Sequence, residues 1–452
     1  MRTMLMLAAL GAALALEPLK LWADFGSASY LPGEKIGGNR PCPPPRGDLF
    51  CGLSDADAAF IAKTYSVISL EKCFGVRPSN TNDANHTMAN FVTTAKQIMR
   101  LAPVGNKPQV LFYWSSNVAV APCYEDAVGG AILQHQDWWL KNKTGGYIWD
   151  NVHSVGRRPW IDFTVPAAAA WWMSVPLRAQ QLAQGSMAGV FVDSAGDWEN
   201  VLLKRKLITA EKAAALNSAH RSAIRELHTQ LTKAIGPQAL VLGNALGPCL
   251  HPPCGPDGVD LLQEGIVDGV VAEHFGAFEW TDMSTGAVDA NVVRQWLTLF
   301  DDAAAINGSV FVKTWPGPET TPIDSEGPSW PRKFLNPFTH KPLNRTNDGI
   351  SKAAAMMLDY SLACFLCISR PGFMLSYGWW YDVSQGYLPG SDAPAEWYPQ
   401  LSRGIGEATS PAIYTGRHVG ENVTCTRNFE GAHMFVNFMD FGSAKIIFKE
   451  VS

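Results

Sequence analysis

Short, mainly apolar runs recur along the chain, separated by stretches with helical spacing. The fourth, Gly189-Val190-Phe191-Val192-Asp193-Ser194, and the sixth, Asp268-Gly269-Val270-Val271-Ala272-Glu273-His274-Phe275, each meet a carboxylate at their far end. A run with no polar face suits a strand covered on both sides, as in a parallel sheet. The remaining runs lie at 19–25, 66–70, 109–114, 239–242, 309–315 and 372–377. Helices are predicted at 84–100, 166–184, 209–235, 290–306 and 349–368, with Thr209 as one N-cap and Ser54 or Asp55 as another. Strand and helix in regular alternation predict an α/β chain folded as a (β/α)8 TIM barrel.

From about Ala412 the texture changes to short alternating runs at 412–414, 422–426, 434–437 and 445–448. These read as a small C-terminal antiparallel β segment, too short to stand alone and so packed on the barrel. The expected organisation is a signal segment at 1–16, the barrel at 17–404 and the β appendage at 405–452. A long aromatic insertion separates the third and fourth runs, between Asn117 and Gln184. It leaves from the carboxyl end of a strand, so it is expected to wall the cleft, with Trp138 and Trp139 stacking on a ligand.

Residues at the carboxyl ends of barrel strands surround the active site. Asp193 and Glu273 should therefore share one cleft, the arrangement two-carboxylate glycoside hydrolysis needs. Asp193 suits a nucleophile or an electrostatic stabiliser of an oxocarbenium-like transition state, and the alternative is a helix-capping Asp. Glu273, among apolar neighbours, suits the acid/base, and the alternative is a salt-bridged structural Glu. His274 belongs to the opposite face if the strand stays regular. Further strand-end candidates for substrate contact are Glu71, Trp114, Asn244, Lys313, Trp315 and Tyr377. Asn244 and Lys313 are suited to sugar hydroxyls, and Lys313 to holding Asp193 ionised. Sixteen tryptophans add flat apolar faces for sugar rings.

The 452 residues, 47% hydrophobic and 17% charged, suffice for a large core. A net charge of −5 without any basic run gives no support to nucleic acid as a partner. There is no phosphate-cradling Gly-rich loop, no His-Glu-x-x-His and no Gly-x-Ser-x-Gly, and paired carboxylates need neither metal nor organic cofactor. Arg2, the apolar stretch to Leu16 and Ala13-Leu14-Ala15 read as a secretory signal, and no later run is long enough for membrane insertion. Five Asn-x-Ser/Thr acceptors, at Asn85, Asn142, Asn307, Asn344 and Asn422, point the same way, to secretion or a secretory lumen. Of nine cysteines, Cys42 with Cys51 and Cys249 with Cys254 flank Pro/Gly-rich loops that a bridge would order, whereas Cys364 and Cys367 read as core packing.

Gly-Val-Phe-Val-Asp193-Ser, Val-Asp-Gly-Val-Val-Ala-Glu273-His-Phe and Trp160-Ile-Asp-Phe-Thr-Val-Pro resemble hypothetical glycosyl hydrolase family fifteen. Arg427-Asn-Phe-Glu-Gly-Ala-His-Met-Phe-Val-Asn437 is similar to the closing β segment of such enzymes. The family is distantly related to the α-galactosidase and endo-α-polygalactosaminidase superfamily. The resemblance implies a carbohydrate substrate, a strand-four Asp nucleophile and a strand-six acid/base, which fall on Asp193 and Glu273. Many relatives carry Asp at the second position, where this chain has Glu. Two other readings fit the same residues: an inactive barrel that binds carbohydrate through its tryptophans, and a transglycosylase. The sugar, linkage, anomer and oligomeric state are not encoded legibly.

Overall fold

A computed structural model describes residues 19–25, 55–70, 87–118, 131–150, 158–196, 198–248, 258–276, 280–281, 287–314, 347–377, 398–416 and 422–449. Eight strands form one parallel sheet in chain order: β1 (Trp22–Phe25), β2 (Val67–Leu70), β3 (Gln109–Ser115), β4 (Gly189–Asp193), β5 (Leu240–Asn244), β6 (Gly269–Phe275), β7 (Ser309–Thr314) and β8 (Phe373–Tyr377). A parallel bridge from Leu21 to Leu375 joins the first edge to the last, with the Leu375 amide 3.1 Å from the Lys20 carbonyl. The sheet is thereby closed into the expected barrel.

Because side chains alternate along a strand, each strand feeds two cores. Inward residues Trp22, Val67, Leu111, Tyr113, Phe191, Leu242, Val271 and Phe311 fill the barrel. Their neighbours, among them Val110, Phe112, Trp114, Val190 and Val192, pack against the helices outside. These helices are α1 (Asp55–Thr64), α2 (Thr87–Leu101), α3 (Pro166–Ala183), α4 (Trp198–Lys204), α5 (Ala210–Ile235), α6 (Gly258–Gln263), α7 (Ala290–Ala305) and α8 (Asn347–Ile368). Thr209 caps α5 as expected, its side chain accepting from the Lys212 amide at 3.2 Å. Gly189 opens β4 where a Cβ would lie 1.8 Å from the Leu240 carbonyl oxygen, so β4 and β5 approach closely only because that position is bare. Among the described residues, no helix is long and apolar enough to cross a membrane.

A second sheet, four-stranded and antiparallel, follows as β9 (Ile413–Thr415), β10 (Thr424–Asn428), β11 (Ala432–Asn437) and β12 (Ala444–Phe448). Its buried residues Cys425, Met434, Val436 and Phe438 belong to the same core as the outer face of the barrel. Cys425 is bonded to Cys367 of α8, which corrects the reading of Cys367 as a packing residue; Cys364 is a free, buried thiol. The sequence separation of 58 residues hides this pair from inspection of the chain. Closing a loop of that length stabilises by about 4 kcal/mol on chain-entropy grounds. Arg427 of β10 donates to the carbonyls of Leu366 and Cys367, at 3.1 and 3.3 Å, and to that of Ser369, closing the end of α8. Burial brings its guanidinium down to about 10. Cys42, Cys51, Cys249 and Cys254 lie outside the described residues.

One ion pair ties the helix layer to the barrel. His228 of α5 places Nε2 3.2 Å from Asp268, just before β6, and Nδ1 3.2 Å from the Ile266 carbonyl oxygen. The hydrogen bond to Asp268 raises the imidazole above its ordinary value. A raised folded value gives stability that is fully present below the unfolded value of about 6.5 and is lost as pH rises through the folded one. Thermal melts should therefore show wild type exceeding His228→Gln by more near pH 5 than near pH 9. Equal differences at both pH values would deny the pair this role.

Candidate active site

Two residues beyond the inner apolar layer, the inward positions turn polar: Asp24 on β1, Ser69 on β2, Ser115 on β3, Asp193 on β4, Asn244 on β5, Glu273 on β6, Lys313 on β7 and Ser376 on β8. This ring crowns the carboxyl ends of the strands, the end at which such barrels place their sites.

Among the described residues, three donors hold Asp193. The Tyr113 hydroxyl donates to Oδ2, while the Ser194 amide at 2.8 Å and Asn244 Nδ2 at 2.9 Å donate to Oδ1. Three donors suit an ionised carboxylate, which can only accept. Ser194 has φ 57°, an uncommon conformation for a residue with a Cβ, and it turns the chain sharply out of β4. Ser116 braces that turn, its hydroxyl donating to the Asp193 and Ser194 carbonyls at 2.9 and 2.7 Å.

Asn244 Nδ2 also donates to Glu273 Oε2 at 2.5 Å, so one amide nitrogen spans both carboxylates. Acceptors at 2.9 and 2.5 Å from one nitrogen stand no more than about 5.4 Å apart, and about 4.7 Å apart along the two N–H directions of a planar amide. Sequence reasoning assigned Asn244 to sugar hydroxyls; the structure sets it between the two acids.

Around Glu273 the strand is not regular, which corrects the expected placement of His274. Ala272 pairs with Val312 and Phe275 with Thr314, so three steps on β6 match two on β7. Ala272 and Phe275 both pack in the outer core, leaving Glu273 and His274 together in the bulge between them. His274 Nε2 lies 3.7 Å from Glu273 Oε2, and its side chain is 41% exposed.

Other expectations fare differently. Trp114 faces outward, 2% exposed, with Nε1 donating to the Trp172 carbonyl at 3.0 Å, so it braces α3 and is withdrawn as a substrate contact. Tyr377 is also outward and packs edge-on against Tyr398 at 5.1 Å. Trp139 is 7% exposed, enclosed by Ile132, Tyr147 and Trp149, and is a packing residue of the insertion. Trp138 is half-buried, stacked on His135 at 4.1 Å and tilted against Trp171. Lys313 meets Asp24 at 3.3 Å across β8, both side chains being buried. Glu71 and Trp315 lie outside the described residues. Tyr113, Asp24 and Ser69 escaped the sequence reading. The available signal was the period of two, since Tyr113 stands two places before Ser115, which pairs with Asp193. Among the described residues, no cluster of His, Cys, Asp and Glu has the makings of a metal site.

Residues 106–433 match the model of hypothetical glycosyl hydrolase family 15, and the chain belongs to that glycoside hydrolase family. No curated protein matches the chain. Among solved structures it is similar to the α-galactosidase TtGalA of Thermus thermophilus in complex with p-nitrophenyl α-D-galactopyranoside, at 14% identity and a TM-score of 0.42, over 94% of this chain and 68% of that one. An Anoxybacillus α-amylase is 10% identical with a TM-score of 0.45, over 96% and 93% of the two chains. A Paenibacillus sp. cycloisomaltooligosaccharide glucanotransferase complexed with cycloisomaltoheptaose is 11% identical with a TM-score of 0.40, over 66% of this chain and 38% of that one. The chain thus spans well under half the length of that glucanotransferase.

Proposed function

We propose that the protein is a retaining glycoside hydrolase acting on an oligo- or polysaccharide, with Asp193 as nucleophile and Glu273 as acid/base. The observation that carries this reading is the single Asn244 amide donating to both carboxylates. A separation of at most about 5.4 Å suits double displacement, which uses roughly 5–5.5 Å, and leaves too little room for the water of direct displacement at roughly 6.5–9.5 Å. In the first step an Asp193 oxygen bonds to the anomeric carbon while Glu273 protonates the departing oxygen. In the second, Glu273 takes a proton from water, whose oxygen displaces Asp193 from the sugar. No metal or organic cofactor enters either step.

The test is the anomer first released, followed by proton NMR on whichever member of a nitrophenyl glycoside panel is turned over. The substrate's own anomer is expected. Release of the opposite anomer would overturn the nucleophile assignment. Glycan binding without turnover, unchanged in Asp193→Asn, would overturn hydrolysis in favour of a lectin-like barrel.

We further propose passage through an oxidising secretory compartment. The Cys367–Cys425 bridge supports this, because such bonds persist chiefly in oxidising surroundings. Mass analysis of the native protein should find that bridge intact and an N-terminus near Leu16; a starting Met1 with all thiols reduced would refute the proposal.

A further inference from the structure

The ring of inward polar residues has a second half, opposite Asp193. In a closed barrel of eight strands, β4 faces β8, and Lys313 on β7 and Asp24 on β1 meet across β8 at 3.3 Å. Asp24 is the register partner of Ser69 on β2. All three are buried, Asp24 4% exposed, Ser69 0% and Lys313 2%. Lys313 satisfies Asp24 Oδ2 alone: Oδ1 has no hydrogen-bond partner, and neither has Ser69 Oγ beside it. A buried acceptor left unmade costs about 1–3 kcal/mol, more when charged, so two such atoms side by side call for an occupant.

Both atoms belong to positions two residues beyond Trp22 and Val67 of the inner core, on the interior side where Asp193 and Glu273 also lie. The interior of an eight-stranded barrel is narrow enough for groups from opposite strands to approach one small molecule. A carboxylate oxygen asks for a donor, a serine hydroxyl gives and takes one hydrogen bond, and the lysine ammonium only donates. Neighbouring hydroxyls of one pyranose ring meet the two open demands, at Asp24 Oδ1 and Ser69 Oγ. A carboxylate on the ring does not, since it has no proton to give Asp24 Oδ1, and Lys313 is already paired with Asp24.

We infer that Asp24, Ser69 and Lys313 form the hydroxyl-recognising wall of the subsite that holds the sugar attacked by Asp193, and that this wall selects neutral hexopyranosides over uronosides. The inference rests on the glycosidase reading and deepens it. Asp24 and Ser69 grip the ring through its hydroxyls and take no part in bond making.

Ser69→Ala separates recognition from structure. Removing an orphaned buried hydroxyl relieves the fold of an unmade bond, so the thermal midpoint should hold or rise. With a nitrophenyl hexopyranoside substrate, kcat/KM should nonetheless fall about tenfold, the equivalent of one hydrogen bond. Asp24→Asn, which keeps the shape, should lower it further, and the corresponding uronosides should be turned over at least about a hundredfold less well than the neutral sugars, as for a misplaced buried charge. In a binding arm that needs no turnover, free glucose, galactose or mannose should raise the wild-type midpoint and leave that of Asp24→Asn unmoved.

Unchanged kcat/KM in both variants, or equal turnover of uronosides, would overturn the inference while leaving the glycosidase reading intact. Hexose binding without hydrolysis of any glycoside would remove the glycosidase reading and keep the sugar site. The absence of any hexose-induced shift in wild type would overturn the site itself.

Discussion

Asp193→Asn is expected to lower kcat/KM by on the order of 10⁴-fold for every substrate, whatever its leaving group. The amide has no charge with which to attack or to stabilise the developing cation. It also presents Nδ2 to a pocket built of donors, Tyr113, the Ser194 amide and Asn244. Glu273→Gln should behave differently. Loss of a general acid costs roughly 10²–10⁴-fold, but only where the leaving oxygen needs a proton. Dinitrophenyl glycosides, whose leaving group departs unaided, should react with Glu273→Gln far better than mononitrophenyl ones. The glycosyl-enzyme should then accumulate, because no base remains to activate water, and azide should accelerate turnover as an anionic nucleophile that needs none. Kinetics with both leaving groups, with and without azide, decide the roles. A leaving-group dependence in Asp193→Asn and none in Glu273→Gln would exchange the two assignments.

The positions of these carboxylates were legible because a charge at the end of an unbroken apolar run has few places to go. Gly189 to Val192 and Gly269 to Ala272 are buried strands by composition alone, and the barrel follows from their spacing. Which way each side chain faces was harder. Trp114 and Tyr113 are equally plausible from sequence, and only the pairing of Ser115 with Asp193 sets the phase that turns Tyr113 inward and Trp114 out. Tryptophan is a poor guide for the same reason, since one ring serves a core or a ligand, and Trp139 proved to be core. The bulge at Glu273 and His274 depends on β6 taking an extra residue against β7, a relation between strands that no single run contains. Asp24 hid in a short, amphipathic first strand, and its partner Lys313 comes 289 residues later.

Asn244 is the residue on which the closeness of the two acids depends, and Asn244→Asp should be almost as damaging as loss of an acid. The replacement removes the donor shared by Asp193 and Glu273 and sets a third carboxyl group between them. Two like charges about 4 Å apart repel by about 4 kcal/mol at the effective dielectric of a partly exposed site, and the new group faces the Asp193 nucleophile at that range. The cluster escapes by retaining a second proton beside the one Glu273 carries as general acid, so it titrates as a unit rather than as three separate acids. The sign follows from linkage. A carboxyl group whose folded value is raised destabilises the fold fully above that value, and the penalty fades as pH falls from there to the unfolded value. Thermal melts of Asn244→Asp should therefore fall short of wild type near pH 8 and approach it near pH 4, around the unperturbed carboxyl range. Relative to wild type, kcat/KM at neutral pH should drop about 10³-fold, from loss of orientation together with a nucleophile that shares a proton. Asn244→Leu supplies the control, because it removes the donor without adding charge. It should impair turnover without the pH-dependent gap in melting temperature. If Asn244→Asp and Asn244→Leu melt in parallel at both pH values, Asp193 and Glu273 are not close enough for a group between them to feel both, and double displacement loses its geometric support.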